Sequence, residues 1–96
     1  MSETNYEQNL EARANLFKAL GHPMRLLIVN LIKIKPRHGQ ELAEILRLNP
    51  ATISHHLKVL RDAGLLTSRR KGLWSFYEAD PAGLTSLAEL PSLIGG

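Results

Sequence analysis

The chain has 96 residues, enough for one domain with a sizeable core, and no apolar run long enough to span a bilayer. It has no cysteine, which excludes disulfides, thiolate metal sites and thiol redox sensing. Its first residues, MSETNYEQN, lack the basic-then-apolar pattern of a signal peptide, so a cytoplasmic location is expected.

The formal net charge is +3, and its distribution says more than its sum. From Ser54 to Lys71 the cations Lys58, Arg61, Arg69, Arg70 and Lys71 face one acid, Asp62, whereas the first sixteen residues hold Glu3, Glu7 and Glu11 against Arg13. Such a strip is the footprint expected for a polyanionic partner; the plainer reading is a solvated charged face.

In chain order, residues 1–8 read as frayed or loosely helical. A first amphipathic helix is predicted from about Asn9 to Leu20, with Leu10, Ala14, Phe17 and Leu20 on its apolar stripe, ended by Gly21. His22 and Pro23 open a second, central helix to about Lys33, with Met24, Leu27, Ile28, Leu31 and Ile32 inward. Pro36 and Gly39 bracket a polar loop, KPRHG.

The most informative stretch follows. Gln40 to Leu46 reads as a short helix with Leu42, Ala43, Ile45 and Leu46 inward and Glu41 and Glu44 outward. Asn49 is a good N-cap and Pro50 a good first helical residue, so the next helix starts abruptly. On that helix Ile53, Leu57 and Leu60 share one stripe, while Ala51, Ser54, His55 and Lys58 lie opposite, with Thr52 at the exposed N-terminal end. A small, hydroxylic and basic outer face suits a groove about 12 Å wide and can offer hydrogen bonds to base edges. Ala43, ten residues before Ile53, is small enough for two helices to cross closely.

Gly64 is expected to cap this helix in the left-handed region, with Leu65 and Leu66 returning to the core. Two strands follow, Thr67 to Arg70 and Leu73 to Glu78, joined around Lys71 and Gly72. In the second strand Trp74 and Phe76 share one face and Leu73, Ser75 and Tyr77 the other; one set is core and the other partly covered or exposed. Asp80 and Pro81 start a last helix carrying Leu84, Leu87 and Ala88, cut by Pro91 and followed by Leu93 and Ile94.

The segments GHPMRLLIVNLI, ELAEILRLNPATISHHLKVLRDAGLL and SRRKGLWSFY together resemble the winged-helix repressors of the ArsR/SmtB family, over about residues 10 to 80. The resemblance implies a mostly α fold with a small β-hairpin, ordered α-α-α-α-β-β-α. It implies a single winged-helix DNA-binding domain over residues 1–96, with the helix-turn-helix at about 39–62 and the wing at about 67–78. It further implies a homodimer through terminal helices at about 9–20 and 81–90, although those apolar stripes could instead fold onto their own core. The turn position where the family usually has Gly is Arg47 here, costing on the order of 1 kcal/mol if that residue is left-handed.

Charge and shape then assign the candidate DNA-binding residues. Thr52, Ser54, His55 and Lys58 are expected to contact the major groove, Gln40, Arg69, Arg70 and Lys71 to hold phosphates or reach the adjacent minor groove, and Arg61 to be a further candidate for the backbone. The expected function is a sequence-specific repressor binding a palindromic operator in double-stranded DNA. A protein-interaction module meeting an acidic partner is the alternative from another class, disfavoured by the hydroxyl-rich outer face.

Four histidines raise a metal reading. His22 is read as structural in its GHP turn, His38 as exposed and solvated, His55 as an outward donor, and His56 as packed or hydrogen-bonded near the core. Adjacent on a helix, His55 and His56 point about 100° apart and do not easily share an ion. The sensor sites implied by the resemblance, cysteines near ELAEIL or a histidine on the last helix, have no counterparts, since no histidine follows His56. No metal or cofactor is therefore expected; a non-standard site of His22 or His38 with the N-terminal glutamates, or a ligand held between the first and last helices, stays open. Ser54, His55 and Asp62 share one exposed helix without an oxyanion turn, so no enzyme is expected.

Overall fold

The computed structural model describes residues 3–88 as five helices and a three-stranded antiparallel sheet. In order these are α1 (Glu3–Leu20), α2 (Pro23–Ile34), β1 (Arg37–His38), α3 (Gly39–Leu46), α4 (Pro50–Asp62), β2 (Leu66–Lys71), β3 (Trp74–Ala79) and α5 (Pro81–Ala88). Among the described residues no helix is long and apolar enough to cross a membrane. The side chains of Leu87 and Ala88, and residues Glu89, Pro91, Leu93 and Ile94, lie outside the described residues.

The helical winged-helix class holds, with one added strand. Arg37 and His38, expected in a polar loop, pair with Tyr77 and Phe76, so the sheet order is β1-β3-β2. Gly39, expected to close that loop, is instead the first residue of α3. Arg37 anchors the junction by donating from Nε to the Leu31 carbonyl at 2.9 Å and pairing with Glu41 at 3.2 Å. That ion pair is why Glu41, expected outward, is half-buried. The hairpin turn also shifts by one residue. Lys71 pairs with Trp74, which leaves Gly72 and Leu73 as the two-residue turn, with a positive φ of 63° at Gly72.

The core gathers Leu16 and Ala19 of α1, Ile28, Val29 and Ile32 of α2, Leu42 and Ala43 of α3, Ile53, Leu57 and Leu60 of α4, and Leu65 and Leu66. Fully burying each leucine or isoleucine contributes about 1.5–3 kcal/mol. Two expected inward faces, those of α2 and α3, are corrected. On α1 the expected stripe of Leu10, Ala14 and Phe17 is exposed, while Leu16 and Ala19 bury a second apolar face. This helix also starts at Glu3, because nothing before Asn9 breaks it and early glutamates suit a helix N-terminus. On α2, Val29 is buried and Leu27 exposed. Ile45 of α3 is 47 % exposed, since it falls at the edge of the arc centred on Leu42 and Leu46.

Local signals explain where the helices start and stop. His22 caps α2, its Nδ1 accepting the Met24 N–H at 3.1 Å, and Asn49 caps α4 by accepting the Ala51 N–H at 2.7 Å. Arg47 ends α3 at φ 55° and ψ 44°, the left-handed conformation expected of this turn. At the other end of α4, Gly64 has φ 90° and the Leu65 N–H reaches back to the Leu60 carbonyl at 3.0 Å, closing a Schellman motif. The Asp80 N–H bonds the Leu65 carbonyl at 2.9 Å, so α5 starts against the end of α4. There Gly83 lies against the Gly64 backbone, where a Cβ would collide with the Gly64 carbonyl.

Candidate nucleic-acid interface

The two faces of α4 are separated as its residues dictate. Ile53, His56, Leu57 and Leu60 are buried, while Ala51, Thr52, Ser54, His55, Lys58 and Arg61 are exposed. The Asn49 cap and the left-handed Arg47 fix where this helix begins relative to α3, whose Ala43 is buried. Ser54, His55 and Lys58 thus share the solvent face of α4, Thr52 is exposed in its first turn, and Gln40 is exposed in the first turn of α3.

The cations of this surface are not equally available. Lys58 Nζ donates to Asp62 Oδ2 at 2.7 Å, and that hydrogen bond holds the Asp62 carboxyl below the usual carboxylate range. An anion approaching Lys58 would have to compete with Asp62 for it. Arg61 Nη1 lies 3.4 Å from Ser68 Oγ, linking the end of α4 to β2. Side chains alternate along a strand, so Leu66, Ser68 and Arg70 share the sheet face that Arg61 touches. Arg69 and Lys71 lie on the opposite face, where Arg69 pairs with Glu78 at 2.8 Å. The three wing cations expected to act alike are thus split between two faces.

On that opposite face His38 departs from the expectation of a solvated side chain. It is half-buried, its Nδ1 accepts the Glu41 N–H at 3.1 Å, and its ring lies 4.6 Å from Trp74 and 5.4 Å from Phe76. Trp74 and Phe76 are therefore the partly covered set of β3, with Trp74 still 47 % exposed, while Tyr77 on the other face packs against the core.

The comparisons with known proteins agree with this geometry. A family model described as "Bacterial regulatory protein, arsR family" matches residues 22–68. The arsenical resistance operon repressor of Bacillus subtilis is 35% identical, the match covering 91% of this chain and 83% of that protein. This chain belongs to the ArsR family. An uncharacterized HTH-type transcriptional regulator of Methanocaldococcus jannaschii is 36% identical, over 73% of this chain and 80% of its own. Among solved structures, an ArsR-like regulator from Rhodococcus superposes with a TM-score of 0.81 at 28% identity, covering 90% of this chain and 81% of that one. A possible ArsR-family regulator of Mycobacterium bovis, described as a homodimeric winged helix-turn-helix DNA-binding domain, gives 0.80 at 26%, covering 99% and 87%. ArsR-family proteins are DNA-binding transcriptional regulators, not enzymes.

Within this ArsR-family fold, His56 is packed and hydrogen-bonded near the core as expected, but its partner Arg25 could not be read from the sequence. His56 is only 5 % exposed, its Nδ1 accepts from Arg25 Nε at 3.1 Å, and its ring lies 4.7 Å from His22. Arg25, one turn into α2, gave no signal because its partner lies 31 residues away. Among the described residues no three histidines, aspartates or glutamates are grouped to hold a metal.

Burial pushes the His56 imidazole below its ordinary 6.5, and the nearby His22, Arg25 and His55 add to the shift. The unfolded chain then binds a proton at pH values where the folded one does not, so His56 contributes stability above about pH 6.5 that is lost as pH falls toward the lower folded value. The urea midpoint of unfolding should fall between pH 7.5 and 5.5, and fall less steeply in His56→Gln. Equal slopes in both proteins would remove His56 as the cause.

Proposed function

We propose that this regulator is a homodimeric repressor that reads a palindromic operator in the major groove with α4 and grips the flanking backbone with its wing. The carrying observation is the exposed face of Thr52, Ser54, His55 and Lys58 on a helix whose other face is locked into the core. Ser54 and Thr52 supply neutral hydrogen bonds to base edges, and His55 donates to a base or phosphate. Gln40, Arg61 and Arg70 hold the backbone, Arg70 from the same sheet face that Arg61 touches. Arg69 and Lys71 flank the wing from its other face, with Arg69 partly neutralised by Glu78.

The outward stripe of Leu10, Ala14 and Phe17 supports dimerisation through α1, together with α5. The homodimeric Mycobacterium bovis domain supports the same assembly. Two copies would set two recognition helices about one DNA turn apart, matching a palindrome. The chain has no cysteine and no histidine after His56, so the sensor sites implied by its resemblance lack ligands, and we place its action in the cytoplasm without a bound metal.

The test separates reading from gripping. Ser54→Ala should lower affinity for the operator by about 1–3 kcal/mol while leaving random DNA nearly unchanged. Arg70→Ala should weaken all duplexes alike and lower the salt slope by about one unit. Fluorescence anisotropy measures both; equal losses on operator and random DNA for Ser54→Ala would sink the base-reading role.

A second reading adds a small-molecule effector. An open cavity of about 430 Å³, lined by Asn15, Lys18, Arg25, Val59 and Asp62 with two alanines, lies where α1, α2 and α4 meet. That is a usual size for a small-molecule site, and an occupant there would touch both the proposed dimer helix and the recognition helix. Ligand-induced release of bound DNA, lost in Arg25→Ala or Lys18→Ala, would support it; release that survives both substitutions would place the effector elsewhere.

A further inference from the structure

We propose that Leu73, at the apex of the wing, is an apolar wedge that enters the minor groove and partly unstacks one base step. The proposal rests on the DNA-binding reading above and goes beyond it, because it assigns the wing tip an act of deformation rather than of charge neutralisation. Leu73 is 90 % exposed, the most exposed large hydrophobic side chain among the described residues. It occupies the second position of a two-residue turn, where folding gains nothing from an aliphatic side chain and a polar residue would serve. The core does not use it, and it sits as far from the core as the hairpin reaches.

The tip is braced, as a wedge must be. Lys71 pairs with Trp74 directly beneath the turn, closing a ladder that runs back to Leu66 and Ala79. The Trp74 ring lies against His38, and His38 is fixed by its bond from the Glu41 N–H in the first turn of α3. On the other face Arg61 reaches Ser68, joining the wing to α4. The position of Leu73 relative to the recognition helix is therefore held from both sides of the sheet.

Charge decides which occupant the tip meets. Arg70 curls back over the turn, its Nε 3.4 Å from the Gly72 carbonyl, and Lys71 is exposed beside it. No acid occurs between Asp62 and Glu78, and Glu78 is engaged by Arg69 at the other end of the ladder. A leucine ringed by cations and no acids suits the minor groove, whose potential is negative. Proteins that bend DNA there combine basic side chains with Leu, Ile, Met or Phe wedges. Pyrimidine–purine steps unstack most easily, so the wedge would also add a sequence preference at a position that α4 never touches.

The full chain should be tested with a duplex recovered from a random 30-base-pair pool by repeated selection on the protein itself. Binding is followed by anisotropy, unstacking by 2-aminopurine placed along the flanks, and bending by energy transfer between dyes on the duplex ends. The expected result is a 2-aminopurine rise at one flanking pyrimidine–purine step in each half-site, with a bend. Leu73→Ser should still bind, with an unchanged salt slope, but lose the rise and the bend and bind that step about ten-fold more weakly. Leu73→Met should retain all three. Wild-type binding without a rise, or a rise that survives in Leu73→Ser, overturns the wedge and leaves the repressor reading standing. A selection that enriches no duplex overturns both.

Discussion

Gly83→Ala should destabilise the protein by about 2 kcal/mol, although alanine is the better helix former by roughly 1 kcal/mol. The sign follows from what the added methyl meets. It would collide with the Gly64 carbonyl and come within 3.2 Å of the Leu65 Cα, all backbone atoms with no rotamer to yield. Gly64 holds φ 90° to close the end of α4, so it cannot move aside without loosening the Schellman turn. The helix must therefore lift, taking the packing of Leu84 with it. Urea unfolding measures the loss, and a stability equal to or above wild type would mean that α5 is not seated on that turn.

Phe17→Glu should abolish dimerisation with little effect on the fold of each chain. Phe17 is 44 % exposed and continues the outward stripe of Leu10 and Ala14, so a carboxylate there would be solvated in the monomer and, in the dimer proposed above, buried against its own copy. The consequence for DNA is larger than for stability. Losing the second half-site removes the effective concentration that links the two contacts, and affinity for a palindrome should drop by about 10²- to 10⁴-fold, with the salt slope roughly halved. Sedimentation and anisotropy on the same sample report both. A variant that stays dimeric with unchanged affinity would move the interface away from α1.

Helix α4 is the most legible part of the chain because independent signals agree on it. Asn49 and Pro50 mark its start, Ile53, Leu57 and Leu60 its inner stripe, and Gly64 its end, and each acts within one or two turns of sequence. Where the structure differs, the deciding partner is distant. The strand of Arg37 and His38 is two residues long and has no periodicity to detect, and its partners Tyr77 and Phe76 lie about forty residues on. On α1 the buried face of Leu16 and Ala19 is not legible, because this helix has two apolar faces and spacing alone does not say which one meets the core.

The wing shows how small an ambiguity can matter. A single glycine at position 72 permits the tight turn but does not say on which side its companion lies. The shift of one residue from Lys71 to Leu73 puts a leucine at the apex, and the alternation along β2 places Arg69 and Arg70 on opposite faces. Gly83 offered a weak signal, since a glycine inside a helix costs about 1 kcal/mol against alanine and often has a packing reason. The backbone it approaches became visible only in the fold.

In the function proposed above, the exposed face of α4 reads DNA sequence while the wing grips the backbone. The most direct measurement is anisotropy on a library of short palindromic duplexes, each at several salt concentrations. Binding to a subset at least about 10³-fold tighter than to the rest, with a steep logarithmic salt slope common to all, is the predicted result. Weak binding of equal strength to every duplex would contradict it.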